Sequence, residues 1–133
     1  MTENIETAPY KLYTCAYRAF DPEMGLPIQT SNGRPKYPLA YSLTWKIPEI
    51  MPNWNLVKQY NRLGPQGFND AYMRDLDKVG AESFHQLFGQ LAAKTGKSNL
   101  VIMCFEKHVA DCHRGAFAEW WLRETGEEVP ELS

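Results

Sequence analysis

The sequence predicts an α/β protein: a compact single-domain sandwich with a mostly parallel sheet flanked by helices. Three observations carry this expectation. Lys11–Tyr17 and Leu100–Phe105 are β-prone, and the second is an uninterrupted apolar run, the pattern of a strand covered on both faces. Residues between and after these runs carry apolar positions at helical spacing. No repeat, low-complexity tract or linker divides the 133 residues, about the length of one domain.

In chain order, residues 1–9 lack periodicity, end at Pro9 and read as a flexible N-terminal lead; residues 10–133 read as the domain. Lys11–Tyr17 forms the first strand. Residues 18–37 hold Pro22, Gly25, Pro27, Gly33 and Pro35, and predict a long functional loop. Pro38–Trp45 reads as a second strand, closed near Pro48. Residues 46–68 look irregular, punctuated by Pro48, Pro52, Gly64, Pro65 and Gly67. Asn69 is placed as an N-cap, with Tyr72, Leu76 and Val79 forming one buried stripe. Phe84, Leu87, Phe88 and Leu91 mark the next helix, stopped near Gly96. After the apolar strand, Asp111 caps a last helix that carries Phe117, Trp120, Trp121 and Leu122 and stops at Gly126. Residues 128–132 add a short edge strand.

Composition narrows the function. Fourteen Lys and Arg against sixteen Asp and Glu give a net charge of −2, which excludes a histone-like nucleic-acid coat and leaves no strong nucleic-acid signal. The longest apolar run has six residues, far short of a membrane span, and the polar, acidic first residues do not read as a signal peptide. An odd cysteine count of three suggests reduced thiols and a cytoplasmic location. Aromatic residues make up 13% of the chain, enough to supply both a core and a stacking surface.

The chemistry concentrates in residues 101–115, read as a buried strand, a polar loop and the first turn of a helix. Ligands of open parallel sheets sit outside the carboxyl ends of strands, where a helix start offers unpaired N–H groups to an anion. Arg114 in that first turn opposes the helix dipole, which makes sense if an anion lies between them. Cys112, at the first helical position, is the place for a lowered thiol pKa, and also for a small buried residue. His113 is a general base, a hydrogen-bond donor or a ring stacked on a base; Arg114 is a ligand contact or a structural partner of Glu106 or Asp111. Cys104, His108, Cys112 and His113 lack the paired spacing of zinc ribbons and fingers, so no metal is expected. Without a Walker loop, dinucleotide fingerprint or nucleophile elbow, no cofactor is expected either. Tyr13, Tyr17, Tyr41 and Trp45 are candidates for an aromatic wall, and Thr14 stands among them. Lys58–Arg62, with Tyr60 and Arg62, grips a phosphate or is simply a solvated loop.

Cys104-Phe105-Glu106-Lys107, then Asp111-Cys112-His113-Arg114, then Ala118-Glu119-Trp120 resemble the widespread domain-of-unknown-function family 488. Its members carry a strand ending in Cys-x-Glu and a Cys-His-Arg triplet opening a helix. Tyr13-Thr14-Cys15, Leu43 to Pro48, Leu63-Gly64-Pro65 and the closing Glu128-Val129-Pro130-Glu131-Leu132 are similar to further segments of one branch. Cys15 departs by replacing a hydroxyl residue, and residues 18–37 have no counterpart. The resemblance implies a compact α/β fold with a pocket at the strand ends and no assigned activity.

Three functions compete. The first is a module binding a small phosphorylated nucleotide-derived ligand, of ADP-ribose type. It acts as a sensor or a sequestering sponge, for instance in virus–host conflict. Arg114, His113, Cys112, Thr14, Tyr13, Tyr17, Trp45 and Arg62 would contact the ligand. The second is an enzyme hydrolysing or transferring a nucleotide or N-glycoside, with Glu106 as acid/base assisted by Cys112 or His113. The third is a structural or interaction domain in which the motif locks strand to helix. The Trp120-Trp121 pair is then core or a contact between copies, which leaves a homo-oligomer open.

Overall fold

The computed structural model describes residues 6–105 and 113–132. Its centre is a five-stranded sheet in which every pairing is parallel: β1 (Lys11–Ala16), β2 (Leu26–Gln29), β3 (Trp45–Lys46), β4 (Asn99–Cys104) and β5 (Glu131–Leu132), in the spatial order β3-β2-β4-β1-β5. The predicted parallel α/β class therefore holds. The apolar run supplies the middle strand, with Leu100, Val101, Ile102 and Met103 all fully buried.

Four helices follow: α1 (Trp54–Lys58), α2 (Tyr60–Val79), α3 (Ala81–Thr95) and α4 (His113–Thr125). Every large buried apolar side chain on them packs into one cluster with Leu12, Leu26, Ile28, Leu100 and Ile102 of the sheet. The opposite face carries Cys15, Val101 and Met103 under Tyr17, Phe20 and Leu43, with no helical residue among them. Strand alternation assigns the faces, since successive side chains of β1 and β4 point to opposite sides. The helices thus cover one face of the sheet, and loops 17–25 and 30–44 cover the other.

That division corrects three local expectations. The long loop at 18–37 contains β2, whose Leu26, Ile28 and Gln29 pair with Leu100, Ile102 and Met103. Gly25 and Pro27 look like breakers, yet both suit the site. A Cβ on Gly25 would lie 2.4 Å from the Asn99 carbonyl oxygen, at a φ of +145°. Pro27 stands where β2 has one neighbour instead of two, because β3 reaches only Ile28 and Gln29. The expected strand at 38–45 reduces to Trp45–Lys46. Residues 38–44 have β-prone composition without a partner strand, and they drape over the helix-free face.

The irregular stretch at 46–68 is largely helical. Asn53 caps α1 by accepting from the Leu56 amide at 2.8 Å, and α2 begins at Tyr60. Gly64 (φ 74°, ψ 170°) kinks α2, and Pro65 restarts it in the one helical position where a missing N–H costs nothing. Asn69, expected as a cap, lies inside the helix. Gly96 stops α3 in the left-handed conformation, as its sequence position predicts. Asp111, expected to cap α4, lies outside the described residues. Of the expected flexible lead, residues 1–5 lie outside the description; the Ala8 amide donates to the Gly89 carbonyl at 3.0 Å, so the following stretch is tied to α3. Trp120 and Trp121 are fully buried among Phe84, Phe88 and Phe117, which makes the pair core and removes it as a contact between copies.

Candidate functional site

Strands β2 and β4 are neighbours, so their carboxyl ends and the first turn of α4 converge. There Thr30 joins all three. Its hydroxyl donates to the Met103 carbonyl at 2.7 Å, and the same oxygen lies 3.1 Å from His113 Nε2. Because that hydroxyl proton is already used, the oxygen accepts from His113, which assigns the Nε2–H tautomer. The Nδ1 lone pair then faces Cys104 Sγ at 3.7 Å. Burial pushes the His113 pKa down to about 4; a hydrogen bond to the Thr30 backbone opposes that shift and the Arg114 charge adds to it. His113 is therefore a neutral ring at physiological pH, held edge-on to Tyr72 at 5.9 Å between ring centres.

Outside this ring opens a cavity of about 310 Å³. Its walls combine the aromatic rings of Trp54, Tyr60, Phe68 and Phe105 with the polar groups of Ser31, Asn32 and His113. Trp54, Tyr60 and Phe105 are 61%, 44% and 40% exposed, and with Leu122 they are the large apolar side chains left uncovered among the described residues. The size and the few convergent polar groups match a small-molecule site. Asn32 is tied by its side chain to the Pro52 carbonyl at 2.8 Å, which joins the β2 end to the segment before α1.

The predicted site residues divide between this cavity and other places. His113 lines it, as do Cys104 and Tyr60 of the quoted motifs. Arg114 does not. It is fully buried, with Nε and Nη2 forked onto the Glu131 carboxylate at 3.0 and 2.9 Å. The same carboxylate accepts from the Thr14 hydroxyl at 2.6 Å, so Thr14 and Arg114 bind β5 to β1 and α4. Arg114 thus takes part in an internal ion pair with Glu131; Glu106 and Asp111, the partners considered from the sequence, lie outside the described residues. Tyr13 faces the opposite end of β1, Trp45 sits on the edge strand under Lys94, and Arg62 is exposed beside Gln59. Tyr17 is buried, with its hydroxyl on Ser31, next to the cavity. Glu106 and Cys112 lie outside the described residues.

The cysteines are not three alike. Cys15 is free and fully buried, and burial, with Glu131 adding to it, pushes its thiol up to about 11, which suits packing and not nucleophilic attack. Cys104 is disulfide-bonded, which corrects the expectation of reduced thiols throughout. Among the described residues no group of His, Cys, Asp and Glu could hold a metal ion, and no helix is long and apolar enough to cross a membrane. Sequence reasoning missed Trp54, Phe68 and Thr30. Only Trp54 left a trace, as a tryptophan directly after a capping asparagine.

Fold and site together define a small parallel α/β domain with a ligand-sized aromatic pocket at its strand ends. The chain belongs to the family described as "Domain of unknown function DUF488", whose model matches residues 29–121. No curated protein and no solved structure matches it.

Proposed function

We propose that this protein is a binding module for a small phosphorylated nucleotide-derived ligand and acts as a sensor or a sequestering sponge. The observation that carries the reading is the cavity where β2, β4 and α4 meet, walled by Trp54, Tyr60, Phe68 and Phe105. Aromatic walls favour a flat π-system, and stacking of a base on such a ring is worth about 1–3 kcal/mol. The neutral His113 ring, Ser31 and Asn32 supply directional polar contacts at the cavity edge without adding charge. Among the described residues the lining is uncharged and aromatic, which suits a nucleobase better than a phosphate, so the base is the part of the ligand assigned to it.

The test is a thermal-shift screen of nucleosides, nucleotides and ADP-ribose, followed by mass spectrometry of the ligand released on heating. A binding module raises the melting temperature and returns the ligand unchanged. Failure of the whole panel to shift the transition would sink the reading. A chemically altered product, lost in Glu106→Gln, would replace it with an enzyme.

A further inference from the structure

Resting on that reading, we propose that the groove beside Tyr17 and Arg18 is the anion subsite of the same ligand, which makes the ligand a nucleotide of the diphosphate class with its phosphates against Arg18. The groove has a volume of about 410 Å³ and is walled by Tyr17, Arg18, Phe20, Tyr37 and Tyr41 with the chain between the last two. Among the described residues no acidic side chain lines it. Arg18 is exposed, and its guanidinium lies 4.2 Å over the Tyr37 ring. A guanidinium held over an aromatic ring still has N–H donors to offer oxygen, the chemistry that suits phosphate. The ion pairs among the described residues are Lys78–Asp75 and Arg114–Glu131, so no described carboxylate occupies Arg18.

A second cation stands nearby. Burial raises the Tyr17 pKa, its Ser31 and backbone hydrogen bonds oppose that, and the Arg34 charge opposes it too, which puts Arg34 within electrostatic reach of the Tyr17 hydroxyl. Residues 1–66 also hold 7 basic against 5 acidic side chains, although the whole chain is acidic.

Tyr17 touches both the groove and the aromatic cavity. Tyr17 lines the groove; its hydroxyl bonds Ser31 Oγ at 2.7 Å, and its ring meets Phe105 at 5.1 Å, both residues of the cavity. Ser31 in turn donates to the Gly33 carbonyl at 2.6 Å, so Tyr17 is the donor to Ser31 and both hydroxyls are held. The Tyr41 hydroxyl donates to the Tyr17 carbonyl at 2.8 Å, which holds the far wall to the same residue. A ligand with a ring at one end and anionic oxygens at the other reaches across Tyr17 with each end in matching chemistry.

The experiment is isothermal titration of adenosine, ADP, ADP-ribose and inorganic pyrophosphate into the wild type, Arg18→Ala and Trp54→Ala proteins at low salt. The wild type is expected to bind ADP at least about 10-fold tighter than adenosine, the size of one charge-assisted contact. Arg18→Ala should bring the two within about twofold while leaving adenosine affinity and melting temperature unchanged, because Arg18 is exposed. Trp54→Ala should weaken adenosine and ADP together and preserve their ratio. If the ADP advantage survives Arg18→Ala, the anion subsite is wrong and the base reading stands. If pyrophosphate binds in an Arg18-dependent way but adenosine and ADP do not, the base reading is wrong and the anion subsite stands. Absence of all binding overturns both.

Discussion

His113 and Arg114 are consecutive residues of one helix turn with opposite roles. His113 is neutral, touches Thr30, Cys104 and Tyr72, and forms part of a cavity wall. Arg114 is charged, fully buried and paired with Glu131. Successive helical side chains diverge by about 100°, so one motif serves two sides of the helix. The lesson is that adjacent residues of the Cys-His-Arg triplet can line different spaces. Its histidine belongs to the pocket, and its arginine belongs to the joint between α4, β1 and β5.

Four measurements can break or sharpen that contrast. The largest effect is expected for Glu131→Ala, which removes the carboxylate forked by the fully buried Arg114 guanidinium and should cost about 3–5 kcal/mol in urea unfolding. Glu131→Leu combined with Arg114→Met should recover much of that loss; equal losses for the single and double variants would deny the ion pair its structural role.

Acidification comes next and reads the other residue. The folded-state pKa of His113, about 4, lies below its ordinary 6.5, so the unfolded chain takes up the proton first. Stability is full above pH 6.5, falls as pH drops and stops falling from this cause below about 4, a total of up to about 3 kcal/mol. His113→Gln should flatten that slope in denaturation curves taken across this window. An unchanged slope in the variant would show that His113 is solvated.

Thr30→Val is expected to cost about 1–2 kcal/mol, since it removes the hydroxyl between the Met103 carbonyl and His113. The imidazole tautomer, read by nitrogen NMR shifts, should lose its strong Nε2–H preference. The smallest stability change, within about 0.5 kcal/mol, is expected for Trp54→Ala, because that ring is 61% exposed. The same variant should lose roughly 5-fold to 100-fold in nucleoside affinity. A Trp54 variant that unfolds would place the ring in the core.

Much of the frame was legible in the residues themselves. β1 and β4 stood out as β-prone runs, and α3 stood out through Phe84, Leu87, Phe88 and Leu91 with Gly96 as its stop. β2 was hidden because four residues flanked by Gly25 and interrupted by Pro27 carry a turn signature. Only the adjacent β4 edge makes them a strand. The pocket was half legible. His113 and Cys104 came from the motif, whereas Trp54 and Phe68 come from segments whose helices begin at Asn53 and Gly64-Pro65, capping and kinking features that resemble loop chemistry until a core closes over them.

Sequence alone determined the α/β class, the buried central strand, the helix stops and the family to which residues 29–121 belong. These depend on local periodicity, turn chemistry and a contiguous motif, all readable within short stretches. Tertiary structure decided which side of the sheet the helices cover, that Arg114 pairs with a carboxylate 17 residues away, and that Trp54 meets His113 across one cavity. Those outcomes depend on which distant groups share a desolvated space. A charge or ring pattern does not carry that information until the strands are in register.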